Sequence, residues 1–184
     1  RPPRSTLCPY TTLFRSDEKI GSVELADRGG LRFGQGNLDV GNPLAPTVIN
    51  AVKELADPTM VTVIDCPPGT ACPMVAALRG ADFVLLVTEP TPFGLHDLTL
   101  AVDTAIALGL PFGVVVNRAG SGDDRVRDYC DSQRIPLLLE IPEDRKVAEA
   151  YSRGEAMVEA IPHYRKVFEG LWSRITEEWG RAKR

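Results

Sequence analysis

The stretch with the most chemistry in its residue types is VTVIDCPPGT, residues 61–70. A short apolar run ends in an acid and breaks into two prolines and a glycine. Val61, Val63 and Ile64 predict a buried parallel strand over 61–65. Asp65 then stands at the carboxyl end of that strand, where open α/β sheets place their ligands. Pro67 and Pro68 stiffen the following turn, and Gly69 lets its backbone N–H approach a bound phosphate. A carboxylate in that place can hold Mg²⁺ through water while Gly69 senses a terminal phosphate. The plainer alternative is a strand that ends in an ordinary loop.

No G-x-x-x-x-G-K-[ST] occurs in the 184 residues. The chain therefore offers neither the lysine that grips the β- and γ-phosphates nor the hydroxyl that binds Mg²⁺. The glycine pairs Gly29-Gly30 and Gly34/Gly36 lack a following Lys-Ser or Lys-Thr and read as turns beside a strand.

Around these residues the chain alternates between strand and helix signals. An extended segment over 29–41 precedes a helical stripe of Val48, Ile49, Val52 and Leu55. After 61–65 come a helix over 74–79, a strand in ADFVLLVTEP (81–90) and a helix over 95–108. PFGVVVNR (111–118), a helix capped by Asp123 or Asp124, PLLLEIP (136–142), a helix over 144–153 and a last helix over 164–180 complete the series. Apolar strands joined by helical crossovers predict a parallel sheet covered on both faces, a three-layer α/β fold. Right-handed crossovers gather the strand ends on one rim. That rim collects Asp65, the 88–92 loop, Asn117-Arg118 and the 142–144 loop. The planar amide of Asn117 can read an adenine edge or simply end its strand; Arg118 can stack on a base or lie solvated. Glu89 and Thr91 shape the site or form a rigid turn. Asp144 caps a helix in either case. His96 and His163 have no partner acid or cysteine at metal or triad spacing.

Composition narrows the classes. With 43% hydrophobic residues the chain can bury one sizeable core, and it contains no apolar run long enough for a membrane span. Residues 1–16 and 162–184 each carry three net positive charges. With a total of −4, the body 17–161 carries −10, which argues against a broad nucleic-acid surface. Cys8, Cys66, Cys72 and Cys130 show no C-x-x-C spacing, so they form neither a zinc knuckle nor a cluster set. The segment 1–16 has no periodicity and resembles a translated sequencing-adapter tail, which places the start of the domain, 17–184, near Asp17.

The motifs VIDCPPGT, LLVTEPTPFGLHDL, PFGVVVNRAG and IPEDRKVAEAYSRG together resemble the MinD/ParA/Mrp branch of P-loop ATPases, and within it the subgroup with a ferredoxin-type 4Fe–4S insert. The resemblance covers residues 18–175. It implies an incomplete P-loop NTPase fold of the deviant Walker A type, with Asp65 as the Walker B acid and Pro67, Pro68 and Gly69 as the switch. It also implies that Asn117 contacts adenine, with Arg118, Pro142 and Asp144 closing the base pocket. The intact parent would use ATP and Mg²⁺, dimerise around nucleotide and act in the cytoplasm. A 4Fe–4S cluster belongs to the parent and not to this chain. The family's P-loop, signature lysine, first switch and cluster cysteines do not occur here, so the chain alone is expected to be inactive. Two further readings are an iron–sulfur carrier or assembly ATPase and a non-catalytic protein-binding module on the same fold.

Overall fold

The computed structural model describes residues 19–69 and 71–183. Near its beginning, Gly29 and Gly30 adopt positive φ of 57° and 85°, the backbone twist that two-residue hairpins require. They join β1 (Gly21–Arg28) to β2 (Leu31–Leu38), which pair antiparallel with Gly21 opposite Leu38 and Arg28 opposite Leu31. The helix α1 (Ala45–Lys53) packs on this hairpin. Gly34 and Gly36 lie inside β2 and not in turns. The missing side chain of Gly36 makes room for Val48 and Val52 of α1, a close helix–strand approach that a larger residue would block. The chain divides into two compact units between Val63 and Ile64, and the hairpin with α1 lies in the first.

The second unit runs α2 (Cys72–Leu78), β3 (Val84–Thr88), α3 (Pro92–Ala107), β4 (Phe112–Ala119), α4 (Arg125–Gln133), β5 (Leu137–Pro142), α5 (Arg145–Ser152), α6 (Met157–Ala160) and α7 (His163–Ala182). The strands form a parallel sheet in the order β3-β4-β5. Successive side chains of a strand face opposite ways, and β4 shows this directly. Val114 and Val116 enter one core with Leu98 and Val102 of α3 and Val126 and Cys130 of α4. Val115 enters the other with Leu138, Ile141, Tyr164 and Leu171 of α7. Helices therefore cover both faces, as the apolar strands predict. Among the described residues no helix is long and apolar enough to cross a membrane.

The sheet departs from the sequence reading in one place. Residues 61–67 join no β-ladder among the described residues, and Val61 and Val63 are 70% and 89% exposed. An apolar run becomes a strand only when a neighbour supplies its inter-strand hydrogen bonds, and none among the described residues pairs with it. Among the described residues three parallel strands are present where four were expected, and Asp65 lies in an irregular, exposed segment instead of at a strand end. The tail boundary at residue 16 lies outside the described residues.

Candidate functional site

The carboxyl ends of β3, β4 and β5 form one rim because parallel strands point the same way. At the end of β3, the buried Thr88 donates its hydroxyl to the Gly94 carbonyl (2.9 Å). Thr91 caps α3 by accepting from the Gly94 N–H (3.0 Å). The rigid-turn reading of Thr91 is thus the one the geometry supports. Cα of Gly122, in the loop after β4, comes so close to Pro90 that a Cβ there would lie 1.7 Å from the Pro90 carbonyl oxygen. The neighbouring Asp123 N–H donates to that same oxygen (3.3 Å). On the other side the Glu143 N–H donates to the Ala119 carbonyl (3.0 Å).

Asn117 and Arg118 sit in the middle of this arrangement, at the end of β4. Asn117 is half-buried, and its side-chain amide has no hydrogen-bond partner among the described residues. Arg118 takes a left-handed conformation with φ of 54°, rare for a residue with a β-carbon. Ser121 holds it there, donating both its N–H (3.1 Å) and its hydroxyl (2.7 Å) to the Arg118 carbonyl. The guanidinium reaches Glu143 Oε1 at 2.8 Å and Glu89 Oε2 at 3.6 Å. The hydrogen bond to Glu143, with the charges of Glu143 and then Glu89, holds the Arg118 pKa above the ordinary arginine value. Neither stacking nor simple solvation anticipated this pairing. No sequence signal could have found it, since Arg118 and Glu143 lie 25 residues apart.

The other candidates fall in different places. Asp144 Oδ1 accepts the Lys146 N–H (2.8 Å) and caps α5, as the sequence predicts. Pro142 closes β5 opposite Ala119. Gly69 lines a cleft of about 200 Å³ with Leu86, Val87 and Thr88 of β3 and Asp97, Leu98, Leu100 and Ala101 of α3. Pro67 and Pro68 precede it in the irregular segment. Asp65 is exposed and has no hydrogen-bond or ion-pair partner among the described residues. No group of three or more His, Cys, Asp or Glu is placed to hold a metal ion among them. One free carboxylate suits Mg²⁺ only where phosphate oxygens and waters complete the shell. Cys72 and Cys130 are free thiols.

No family model matches the chain. It is 33% identical to an uncharacterised protein of Methanocaldococcus jannaschii over 72% of this chain and 46% of that protein. It is also 33% identical to an uncharacterised ATP-binding protein of the same organism, over 67% of this chain and 45% of the other. A Chlorella vulgaris protein named as a candidate septum site-determining MinD is 31% identical over 60% and 41%. The chain thus spans less than half the length of these curated relatives. Among solved structures, the MinD cell division protein of Aquifex aeolicus matches with a TM-score of 0.54 at 20% identity, over 72% of this chain and 59% of that one. The fold of the chain is therefore MinD-like, and its sequence is similar to proteins named as ATP-binding and as MinD.

Proposed function

We propose that this chain is the carboxyl-terminal part of a MinD/ParA-type nucleotide-switch ATPase, and that the rim around Asn117 is the adenine side of its nucleotide site. The observation that carries this reading is the Asn117 amide. It is half-buried near the end of the central strand, and neither its donor nor its acceptor has a partner among the described residues. A planar amide left open in such a place matches the paired donor and acceptor of an adenine edge. The relative whose name states ATP binding supports the same ligand.

In this proposal Pro142 and Asp144 frame the base, and Arg118 stands beside Asn117 without touching the base. Asp65 is the Walker B acid that holds Mg²⁺ through water, and Pro67, Pro68 and Gly69 form the switch that follows it. The phosphate cradle has no counterpart in the 184 residues. ATP hydrolysis, a nucleotide-bridged homodimer and action in the cytoplasm are proposed for the longer protein. Membership of the iron–sulfur subgroup is part of the same proposal. It requires cluster cysteines at a spacing that Cys8, Cys66, Cys72 and Cys130 do not have.

The test is a nuclear magnetic resonance titration of the whole chain with Mg-ADP, Mg-ATP and Mg-GTP. Binding weaker than about millimolar is expected, with adenine-specific shifts at 117–119 and 142–144 that Asn117→Ala removes. Identical shifts for ATP and GTP, or shifts that miss the rim, would sink the reading. Micromolar affinity would show a complete phosphate site elsewhere in the chain.

A further inference from the structure

The loops after β3, β4 and β5 are joined at the rim by one side chain. We propose that Arg118 is a positioning residue: it ties Glu89 and Glu143 to the end of β4 and so sets the gap into which Asn117 presents its amide. The inference rests on the nucleotide reading for its consequence, though not for its geometry.

Three observations carry it. First, the Arg118 guanidinium is divided between two carboxylates on two different loops, 2.8 Å from Glu143 and 3.6 Å from Glu89. A fork of five fixed donors suits such bridging, and a lysine's point charge does not. Second, the backbone already brings the same loops together, through Glu143 N–H to Ala119 O and Asp123 N–H to Pro90 O. The ion pairs therefore act across a gap that the main chain has nearly closed. Third, Arg118 holds a left-handed φ of 54° that Ser121 secures through two hydrogen bonds to its carbonyl. That conformation sits between Asn117 and Ala119, so the placement of the amide and the placement of the clasp depend on one backbone geometry.

An arginine held in this way is not free to stack on a base without giving up both carboxylates. Its side chain and those of Glu89 and Glu143 are 52%, 44% and 51% exposed. Exposed ion pairs contribute little to global stability, so the clasp biases the loops and not the fold.

Amide hydrogen exchange on the full chain without ligand tests the clasp directly. Replacement of Arg118 by glutamine (Arg118→Gln) should speed exchange at the Glu143 and Asp123 N–H groups by roughly 1.5- to fivefold, the scale of an exposed ion pair. Exchange in the cores of β4 and α7 should stay unchanged. Arg118→Lys should restore protection on one side only. In Mg-ADP titrations, Arg118→Gln and Glu143→Gln should weaken binding by a similar factor, although Glu143 has no contact with the base in this scheme. Unchanged exchange at both N–H groups in Arg118→Gln would overturn the proposal. So would an affinity loss in Arg118→Gln that Glu143→Gln does not share, because Arg118 would then touch the nucleotide itself. Faster exchange in a chain that binds no adenine nucleotide would support the clasp and refute the nucleotide reading.

Discussion

Gly36 lies directly beneath Val48: a Cβ on Gly36 would stand 2.6 Å from Val48 Cγ1 and 2.9 Å from Val52 Cγ2. Two positions earlier, a Cβ on Gly34 would meet Leu25 Cδ2 at 3.5 Å and Val52 Cγ1 at 3.7 Å, ordinary packing distances. The two glycines of one strand should therefore respond in opposite ways to the same substitution. Gly36→Ala forces α1 away from β2 and should cost about 1–3 kcal/mol, the range for overpacking. Gly34→Ala should be neutral or stabilising, because it removes a flexible residue from a strand without a clash. Chemical denaturation, followed by a probe in the hairpin, separates the two. Equal losses would mean that α1 does not sit on β2 at this distance.

Asn117 and Arg118 were legible as rim residues because the signal is local. Three valines followed by a polar break mark a buried strand and its end. The same reasoning failed at 61–65, where the apolar pattern is as clear but pairing depends on a neighbour that periodicity cannot report. Gly34 and Gly36 were misread for a related reason, since a glycine that admits a packed helix looks like a turn glycine in sequence. The four-residue α6 is too short for a 3.6-residue period to register. The Arg118–Glu143 pair needed the fold itself, because two loops 25 residues apart meet only once β4 and β5 are side by side.

Thr91 gives α3 its start. Its hydroxyl accepts the Gly94 N–H, one of the four donors that a helix leaves unpaired at its amino end. Thr91→Ala should lower stability by about 1 kcal/mol, and Thr91→Ser should recover most of it. Thermal melting of the three proteins provides the comparison. Equivalence of Thr91→Ala and Thr91→Ser would show that the cap contributes nothing.

β3 pairs with β4 on one side only among the described residues, and Val87 on it is 62% exposed. An apolar edge with unpaired backbone groups is a template for association with another chain. Val87→Lys places a charge on that edge at little cost to the core, because Val87 belongs to neither buried cluster. Self-association at high protein concentration should fall, with stability changed by less than about 0.5 kcal/mol. Sedimentation velocity across a concentration series reads the first effect and denaturation the second. Unaltered association would remove this edge from consideration as the sticky surface.

Cys130 is fully buried in α4 against the sheet, and burial, helped by the charge of Asp131, pushes its thiol up to about 11. Cys72 is exposed. Since the thiolate is the reactive form, a thiol reagent at pH 8 should modify Cys72 within the folded protein and leave Cys130 untouched until unfolding. The raised value also makes stability depend on pH, with a definite sign. Below the unfolded thiol pKa near 9 both states keep the proton, and the stabilising effect of burying a neutral thiol is fully present. As the pH climbs from about 9 to about 11 the unfolded chain releases the proton first, so the folded state weakens over that window. The loss should reach at most about 3 kcal/mol. Cys130→Ala removes the ionisable group and should flatten this alkaline decline while lowering stability at neutral pH, because it leaves a small cavity. Denaturation midpoints at pH 7, 9 and 10.5 for both proteins make the measurement. An equal alkaline decline in the two would assign the loss to other groups.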